Sequence, residues 1–467
     1  MKNQRPPGPT LIQLVRELKA VRRDVLATHL RWHRTYGDVI RIPFRPATYM
    51  IAHPEDVKHV LLTNSGNYRK VGKFIRDNRI VGKGLFSSEE PLHMHQRRII
   101  HPMFHHEQLA SYASTIAETT GEYVSSWKDG DIVEMSSEMM RLTLTIVGKT
   151  LFSIDLLRDS ANLTNAWTTC QHEITKFQKY PFFNFFPDLM KPRFNRALRE
   201  LNDAINELIT ARRAAHERPP DLLSLLLESR YEDGTEISMQ QIRDEVMTFL
   251  IAGHETTGNT IAWTLWLLSQ HPETEGAVRE ELDAANASTT NPADLISSFP
   301  LLRMVSAESL RLYPGAWNIA RQAVSDDVLP SGTPIPAASV ISMIQYVCHR
   351  NPKYFPDPER FDPSRFDVRK QLVPFSYFPF GGGPRHCIGE QFAKMEITMI
   401  VADLLRRFDL TLIPGQVIEP EPLITLRPKN GVYMRISRRS TGGKDAGRFS
   451  RREAGPESLQ KLEYAER

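Results

Sequence analysis

The chain has 467 residues, 41% of them hydrophobic, with 59 Lys and Arg against 55 Asp and Glu for a formal net charge of +4. Its basic residues are spread along the sequence, so nothing points to nucleic acid. Its three cysteines, Cys170, Cys348 and Cys387, are too few and too scattered for a disulfide scaffold or a zinc cluster, which favours a reducing, cytoplasmic setting.

The opening MKNQRPPGP lacks the apolar core of a secretion signal. No stretch approaches the roughly 18–20 uncharged apolar residues that span a bilayer; the richest, Val246–Ala252 and Ile397–Leu405, are short or interrupted. Most segments repeat apolar residues every three to four positions, so a mainly α fold is expected, with small β-sheets built from Asp38–Ala52, Val340–Val347 and the terminal LTLI and VYMRI runs. Two small sheets accommodate these. In the run from His93 to His106, His101 and His105 have zinc-pair spacing, but the intervening Pro102 and the lack of a clustered third ligand argue against a metal site. Phe182, Phe183, Phe185 and Phe186 read as a substrate-access lip, a shallow membrane contact or plain core.

A long helix is expected from about Met239 to His271, opened by a Ser238/Gln241 capping box and stopped by Pro272. About 33 residues at 1.5 Å each make it roughly 50 Å long, enough to cross a large domain. Its centre, Ala252-Gly253-His254-Glu255-Thr256-Thr257-Gly258, interrupts the apolar run with a carboxylate, hydroxyls and two glycines that each cost about 1 kcal/mol relative to alanine. Either another body approaches the backbone there, or a neighbouring helix packs closely. Thr256 is placed to turn its hydroxyl to the Ala252 carbonyl, opening a polar notch.

The next helix, PLLRMVSAESLRLYP, lies between Pro300 and Pro314. At 100° per residue Glu308 falls between Leu301, Val305 and Leu312, in the centre of the apolar stripe, with Arg311 one turn on as its partner. The pair reads as a structural lock. Further on, Phe380-Gly381-Gly382-Gly383-Pro384-Arg385-His386-Cys387-Ile388-Gly389 precedes a helix from Glu390 to about Arg407. Helix-terminal amides and Arg385 favour a Cys387 thiolate, which serves as a nucleophile or an iron ligand. As a nucleophile it wants a base such as His386, and sequence neighbours rarely point together. From residue 439 to 467 the chain is polar and charged, and a mobile tail is expected behind a single domain spanning 1–438.

These residues resemble the cytochrome P450 haem-thiolate enzymes over nearly the whole chain. Phe380, Gly383, Arg385, Cys387 and Gly389 fit the haem loop, behind Ala252-Gly253-x-Glu255-Thr256-Thr257, Glu308-x-x-Arg311 and Pro358-Glu359-Arg360-Phe361 in family order. The resemblance implies a P450 fold with haem b between the central helix and the Cys387 loop. Cys387 is then the iron ligand, with Phe380 beside the sulfur and Ala252 and Gly389 close to the haem. It also implies that Thr256 and Glu255 over the distal face handle dioxygen and protons, and that His93, Arg97, Arg321 and Arg385 hold the propionates. Glu308 and Arg311 would join Arg360 in the lock.

The implied activity is insertion of one oxygen atom from dioxygen into an apolar substrate such as a fatty acid or terpenoid. Electrons come from NAD(P)H through a separate ferredoxin or flavodoxin and reductase, docking near Arg97, Arg98 and Lys394. Peroxide-dependent or isomerase chemistry, and a non-catalytic haem sensor, are the alternatives; Glu255 and Thr256 argue against the first. Candidate pocket linings are Lys70–Leu85, Phe182–Phe186, the helix around Phe249 and Ala252, Trp317, Asn318 and Ile319, and Ile424, with Asn318 and Thr425 as polar anchors.

Overall fold

In the computed structural model the described residues are 5–71, 79–179 (backbone only over 176–179), 192–231, 233–285 and 298–439. The Phe182–Phe186 segment, residues 72–78 of the expected pocket loop and the tail from 440 onward lie outside them.

Thr10 opens α1 (Leu11–Arg23) with a complete capping box, accepting from the Gln13 amide at 3.2 Å while its own amide donates to Gln13 Oε1 at 2.8 Å. Asp24 ends that helix and caps α2 (Val25–Tyr36). The hairpin β1 (Val39–Ile42) and β2 (Thr48–Ile51) follows, then α3 (Pro54–Lys58) and β3 (Tyr68–Lys70). The helical body comprises α4 (Leu92–Ile100), α5 (His106–Val124), α6 (Met135–Phe152) behind β4 (Ile132–Glu134), α7 (Ser160–Lys179), α8 (Pro192–Ala214), α9 (Leu222–Glu228), α10 (Met239–Gln270), α11 (Pro272–Ala284) and α12 (Pro300–Leu312). Then come β5 (Ile319–Ala323), β6 (Asp327–Val328), β7 (Pro334–Ile335), β8 (Val340–Met343), α13 (Gln345–Cys348) and α14 (Glu390–Arg407). The chain closes with β9 (Phe408–Leu412), β10 (Pro420–Pro422), β11 (Leu426–Pro428) and β12 (Tyr433–Arg438).

Four sheets form among the described residues, where two were expected: β1-β2-β8-β5-β3, β4-β12-β9 and the pairs β10-β11 and β6-β7. The extra strands are two or three residues long, too short for a period of two to register.

The helix α10 is the axis of the core, buried along most of its 32 residues. Its two central glycines serve α6: a Cβ on Gly258 would lie 2.9 Å from the Met140 backbone, and one on Gly253 would lie 2.9 Å from Val147 Cγ2. Thr143 of α6 donates to the His254 carbonyl at 2.8 Å, so the two helices meet almost backbone to backbone. At its start Ser238 accepts from the Gln241 amide, but the Gln241 side chain donates to the Lys83 carbonyl and to Glu245. The expected capping box is therefore half formed, because strapping the 79–85 segment to α10 takes the glutamine. Asp244 and Glu245 complete that strap by accepting from the Lys83 and Leu85 amides at 2.8 and 2.9 Å.

Glu308 and Arg311 are fully buried. Arg311 spends all five N–H groups: Nε and Nη2 on the Glu308 carboxylate at 2.6 and 2.8 Å, Nη1 on the His349 and Pro358 carbonyls, and Nη2 also on the Arg360 carbonyl. The third member differs from expectation. Arg360 contributes its carbonyl and leaves its side chain exposed, while Arg365 brings the second cation to 3.6 Å from Glu308. The lock thus ties the segment from residue 349 to 365 onto α12.

Candidate active site

The Cys387 turn is shaped by its neighbours. Gly383 has φ +69°, and a Cβ there would sit 1.8 Å from the Leu61 carbonyl oxygen, so only glycine lets the loop press on that segment. The Cys387 amide donates to the Phe380 carbonyl at 3.0 Å, and Gly389, at the N-cap of α14, directs its amide at the Cys387 sulfur. Arg97 donates to the His386 carbonyl at 2.8 Å, which anchors α4 to the turn. Burial pushes the Cys387 thiol up and Glu390 adds to that, while the Gly389 amide and Arg97 pull it down. The cation that acts on the sulfur is Arg97, where Arg385 was expected. His386 turns its ring to Glu390, leaving Cys387 without a base and weakening the nucleophile reading.

Around α10 the motif residues divide by angle. Ala252 and Thr256 share one side, and the Thr256 hydroxyl donates to the Ala252 carbonyl at 2.8 Å, the bond its sequence suggests. Ala252 is exposed in the middle of an otherwise buried helix. Glu255 points elsewhere. It is 1% exposed, and Oε2 accepts from Trp167 Nε1 at 2.6 Å while Oε1 accepts from Gln171 Nε2 at 2.6 Å and from the Thr425 hydroxyl at 2.5 Å. The carboxylate expected over the distal face is thus held by α7 and Thr425. Burial raises its pKa, and the donors from Thr425, Trp167 and Gln171 oppose that rise.

A cationic cluster adjoins the Cys387 turn. Lys70 and Arg321 stand directly opposite each other in the β3–β5 register, an arrangement of like charges that repels. Arg385 joins them, donating to the Ser88 carbonyl at 2.7 Å and to Glu89 at 2.5 Å; the Lys70 amide also donates to Glu89. Arg321 donates to the Ala320 carbonyl and has no carboxylate partner among the described residues. Burial pushes Lys70 well below its usual range and Arg321 to about 10, and proximity to Arg385 lowers both further. His93, buried with Nδ1 3.0 Å from Glu90 Oε1, is pushed down to about 4 by burial, Arg385 and Lys70, so it is neutral at physiological pH. Three basic side chains, Lys70, Arg321 and Arg385, thus face the two carboxylates of Glu89 and Glu90. A group carrying two carboxylates and a metal that takes a thiolate, as haem does, fits this donor set.

The remaining expectations fare unevenly. Arg97 spends a donor on the His386 carbonyl, and the Phe380 ring lies under Lys394 at 5.6 Å. Phe249 is buried against Phe104, with ring centroids 5.8 Å apart. Trp317 is pinned by its Nε1 to the Leu423 carbonyl at 2.9 Å, and Ile319 packs against the side of Gly381. Ile424 is half-buried. Of the two proposed polar anchors, Asn318 accepts from Ser342 through Oδ1 and Thr425 donates to Glu255. His101 and His105 hydrogen-bond each other at 2.8 Å. Sequence reasoning missed Lys70 as a charged member of the site, with Glu89 and Glu90, and missed Trp167 and Gln171 as donors to Glu255. A signal existed only for Lys70, a cation in a short strand next to a loop.

A sequence model described as Cytochrome P450 matches residues 6–435. Among similar curated proteins, a cyclooctat-9-en-7-ol 5-monooxygenase of Streptomyces melanosporofaciens is 34% identical over 82% of this chain and 84% of its own. A pentalenene oxygenase of Streptomyces avermitilis is 31% identical over 87% and 92%. The crystal structure of the cytochrome P450DA heme domain superposes with a TM-score of 0.83 at 24% identity, covering 94% of this chain and 98% of that one; it speaks to the fold.

Proposed function

The chain belongs to the cytochrome P450 family, as a monooxygenase and so an oxidoreductase, and on that premise we propose that it oxygenates a cyclic, apolar terpenoid skeleton using haem held by Cys387. The observation that carries the haem assignment is the Cys387 turn, where the Gly389 amide meets the sulfur beside a cluster of three cations. The substrate class rests on the relatives named for cyclooctat-9-en-7-ol and pentalenene, and on the apolar character of Phe249, Ala252, Ile319 and Ile424.

When bound, haem supplies the iron that activates dioxygen. The protein's share is positional. Lys70, Arg321, Arg385 and neutral His93 supply donors for the haem carboxylates, and the Gly389 amide with Arg97 tempers the charge of the Cys387 sulfur. Thr256, its proton engaged by the Ala252 carbonyl, presents two lone pairs and accepts a hydrogen bond on the open side of α10. Glu255, its pKa raised by burial against the pull of three donors, exchanges protons through the Thr425 hydroxyl at Oε1. Electrons come from a ferredoxin or flavodoxin docking near Arg98 and Lys394, in a cytoplasmic setting.

The test is the ferrous carbon-monoxide difference spectrum of the purified protein, with cyclic terpenoids and fatty acids titrated against the ferric spin state. A strongly red-shifted Soret band, lost in Cys387→Ser, together with a spin shift on adding a terpenoid, is the expected result. An unshifted band in the parent protein refutes thiolate ligation, and a response to fatty acids alone refutes the substrate class.

A further inference from the structure

The described residues of α1 carry an amphipathic pattern that the fold does not use. Leu14 is its one buried residue, and Glu17, on the inner side, accepts from Arg31 and Trp32 of α2. Outward it presents Leu11, Ile12, Val15 and Leu18, exposed by 61%, 67%, 59% and 38%. At 100° per residue these four occupy an arc of about 120°. Lys19 and Arg22 fall inside the arc, Arg16 and Arg23 at its margin, and no acidic residue of the helix shares it.

A second exposed apolar side chain lies close in the fold to the start of α1. The Arg41 amide donates to the Pro7 carbonyl at 2.9 Å, and Gly8 packs so tightly on β1 that a Cβ would lie 2.0 Å from the Arg41 carbonyl oxygen. The chain leading into α1 is thereby fixed beside β1. Three residues past Arg41, the β1–β2 turn exposes Phe44 by 51%, next to exposed Arg45.

We propose that this face, the outer side of α1 with the Phe44 turn, docks on an anionic lipid bilayer. Aliphatic side chains at the centre of a flat arc, interleaved with long cationic ones, match the layering of a membrane surface. The aliphatic groups enter the acyl boundary while the Lys and Arg stems extend to the phosphates. An acidic protein would satisfy the cations and leave the aliphatic centre unexplained. Docking of this kind needs no spanning segment, and no helix among the described residues is long and apolar enough to cross a membrane. It would place an enzyme for apolar substrates at the phase in which they concentrate.

The experiment is flotation of the haem-loaded full chain with phosphatidylcholine vesicles, with and without 30% phosphatidylglycerol. Anionic vesicles are expected to bind about tenfold or more tightly than neutral ones, with the difference collapsing in 0.5 M salt. Ile12→Glu/Val15→Glu is expected to lower binding at least tenfold by removing the apolar contact, and Lys19→Gln/Arg22→Gln by removing charge. Both variants change exposed side chains and should keep the carbon-monoxide band of the parent protein. Absence of vesicle binding, equal binding to neutral and anionic vesicles, or undiminished binding by the Glu variant overturns the proposal. So does a dimer that the Glu variant disperses, which assigns the face to a second copy of the chain.

Discussion

Replacing Glu308 by glutamine isolates the charge of the lock while keeping its shape. The parent carboxylate accepts from Arg311 Nε and Nη2 and from the Asp362 amide at 2.8 Å, with Arg365 3.6 Å away. A glutamine keeps one acceptor but turns an NH2 toward donors, leaving the zero-exposure Arg311 guanidinium without a counter-charge. Breaking a buried pair in this way costs about 3–5 kcal/mol. With an unfolding entropy near 2.1 cal/mol/K per residue, a chain of this length loses about 1 °C per kcal/mol, so differential scanning calorimetry of the haem-loaded protein should show Tm lower by about 3–5 °C. Arg311→Leu should cost more, because it strands the Glu308 carboxylate and the carbonyls of His349, Pro358 and Arg360 together. The double variant Glu308→Leu/Arg311→Leu should be milder than Arg311→Leu alone, since it leaves no stranded carboxylate. A Glu308→Gln shift below about 1 °C, or a milder effect for Arg311→Leu, would refute the reasoning.

Three further outcomes follow from the site and its strap. Burial raises Glu245 to about 8 from an ordinary 4.5; the folded state therefore binds a proton that the unfolded chain releases, and stability falls as pH rises between those values, by up to about 1.4 kcal/mol per unit. Glu245→Gln keeps the oxygen that accepts from the Leu85 amide, so denaturant titrations from pH 5 to 8 should show a flatter slope than the parent; equal slopes would contradict the assignment. Lys70→Met should speed transfer of haem to apomyoglobin about tenfold, the worth of one charged hydrogen bond, and an unchanged rate would remove Lys70 from the site. Thr256→Ala should retain haem and the carbon-monoxide band while diverting reducing equivalents from product to peroxide; full coupling would remove its proposed role.

The legible parts of the molecule were those where chemistry and periodicity conflict. Glu308 in the middle of an apolar stripe announced a buried partner one turn away, and the geometry supplies it. Gly383 and Cys387 ahead of a helix start announced a shaped turn. The α10 span, from a serine cap to a proline stop, is correct to within a residue at its C-terminal end. What stayed hidden depends on contacts between distant segments. Trp167 and Gln171 reach Glu255 across more than 80 residues of sequence, and an indole or amide at helical spacing looks like core or surface until the partner helix is in place. The Lys70–Arg321 pairing is a matter of register between strands 250 residues apart. Arg365 displaced Arg360 from the lock because a loop, whose side chains have no period, decides which arginine turns inward.

Around α10, Gly253 and Gly258 belong to the seam with α6, Glu255 to the contact with α7 and the residue 425 loop, and Ala252 and Thr256 to the open side. Each face answers to a different neighbour, so the constraints on sequence are separable along one element. A change at position 252 alters what is admitted without disturbing the helix pair, whereas any side chain at 258 forces two backbones apart whatever the reaction. Directed evolution of this enzyme should therefore find new selectivity on one third of the helix circumference and loss of folding on another, with little exchange between them.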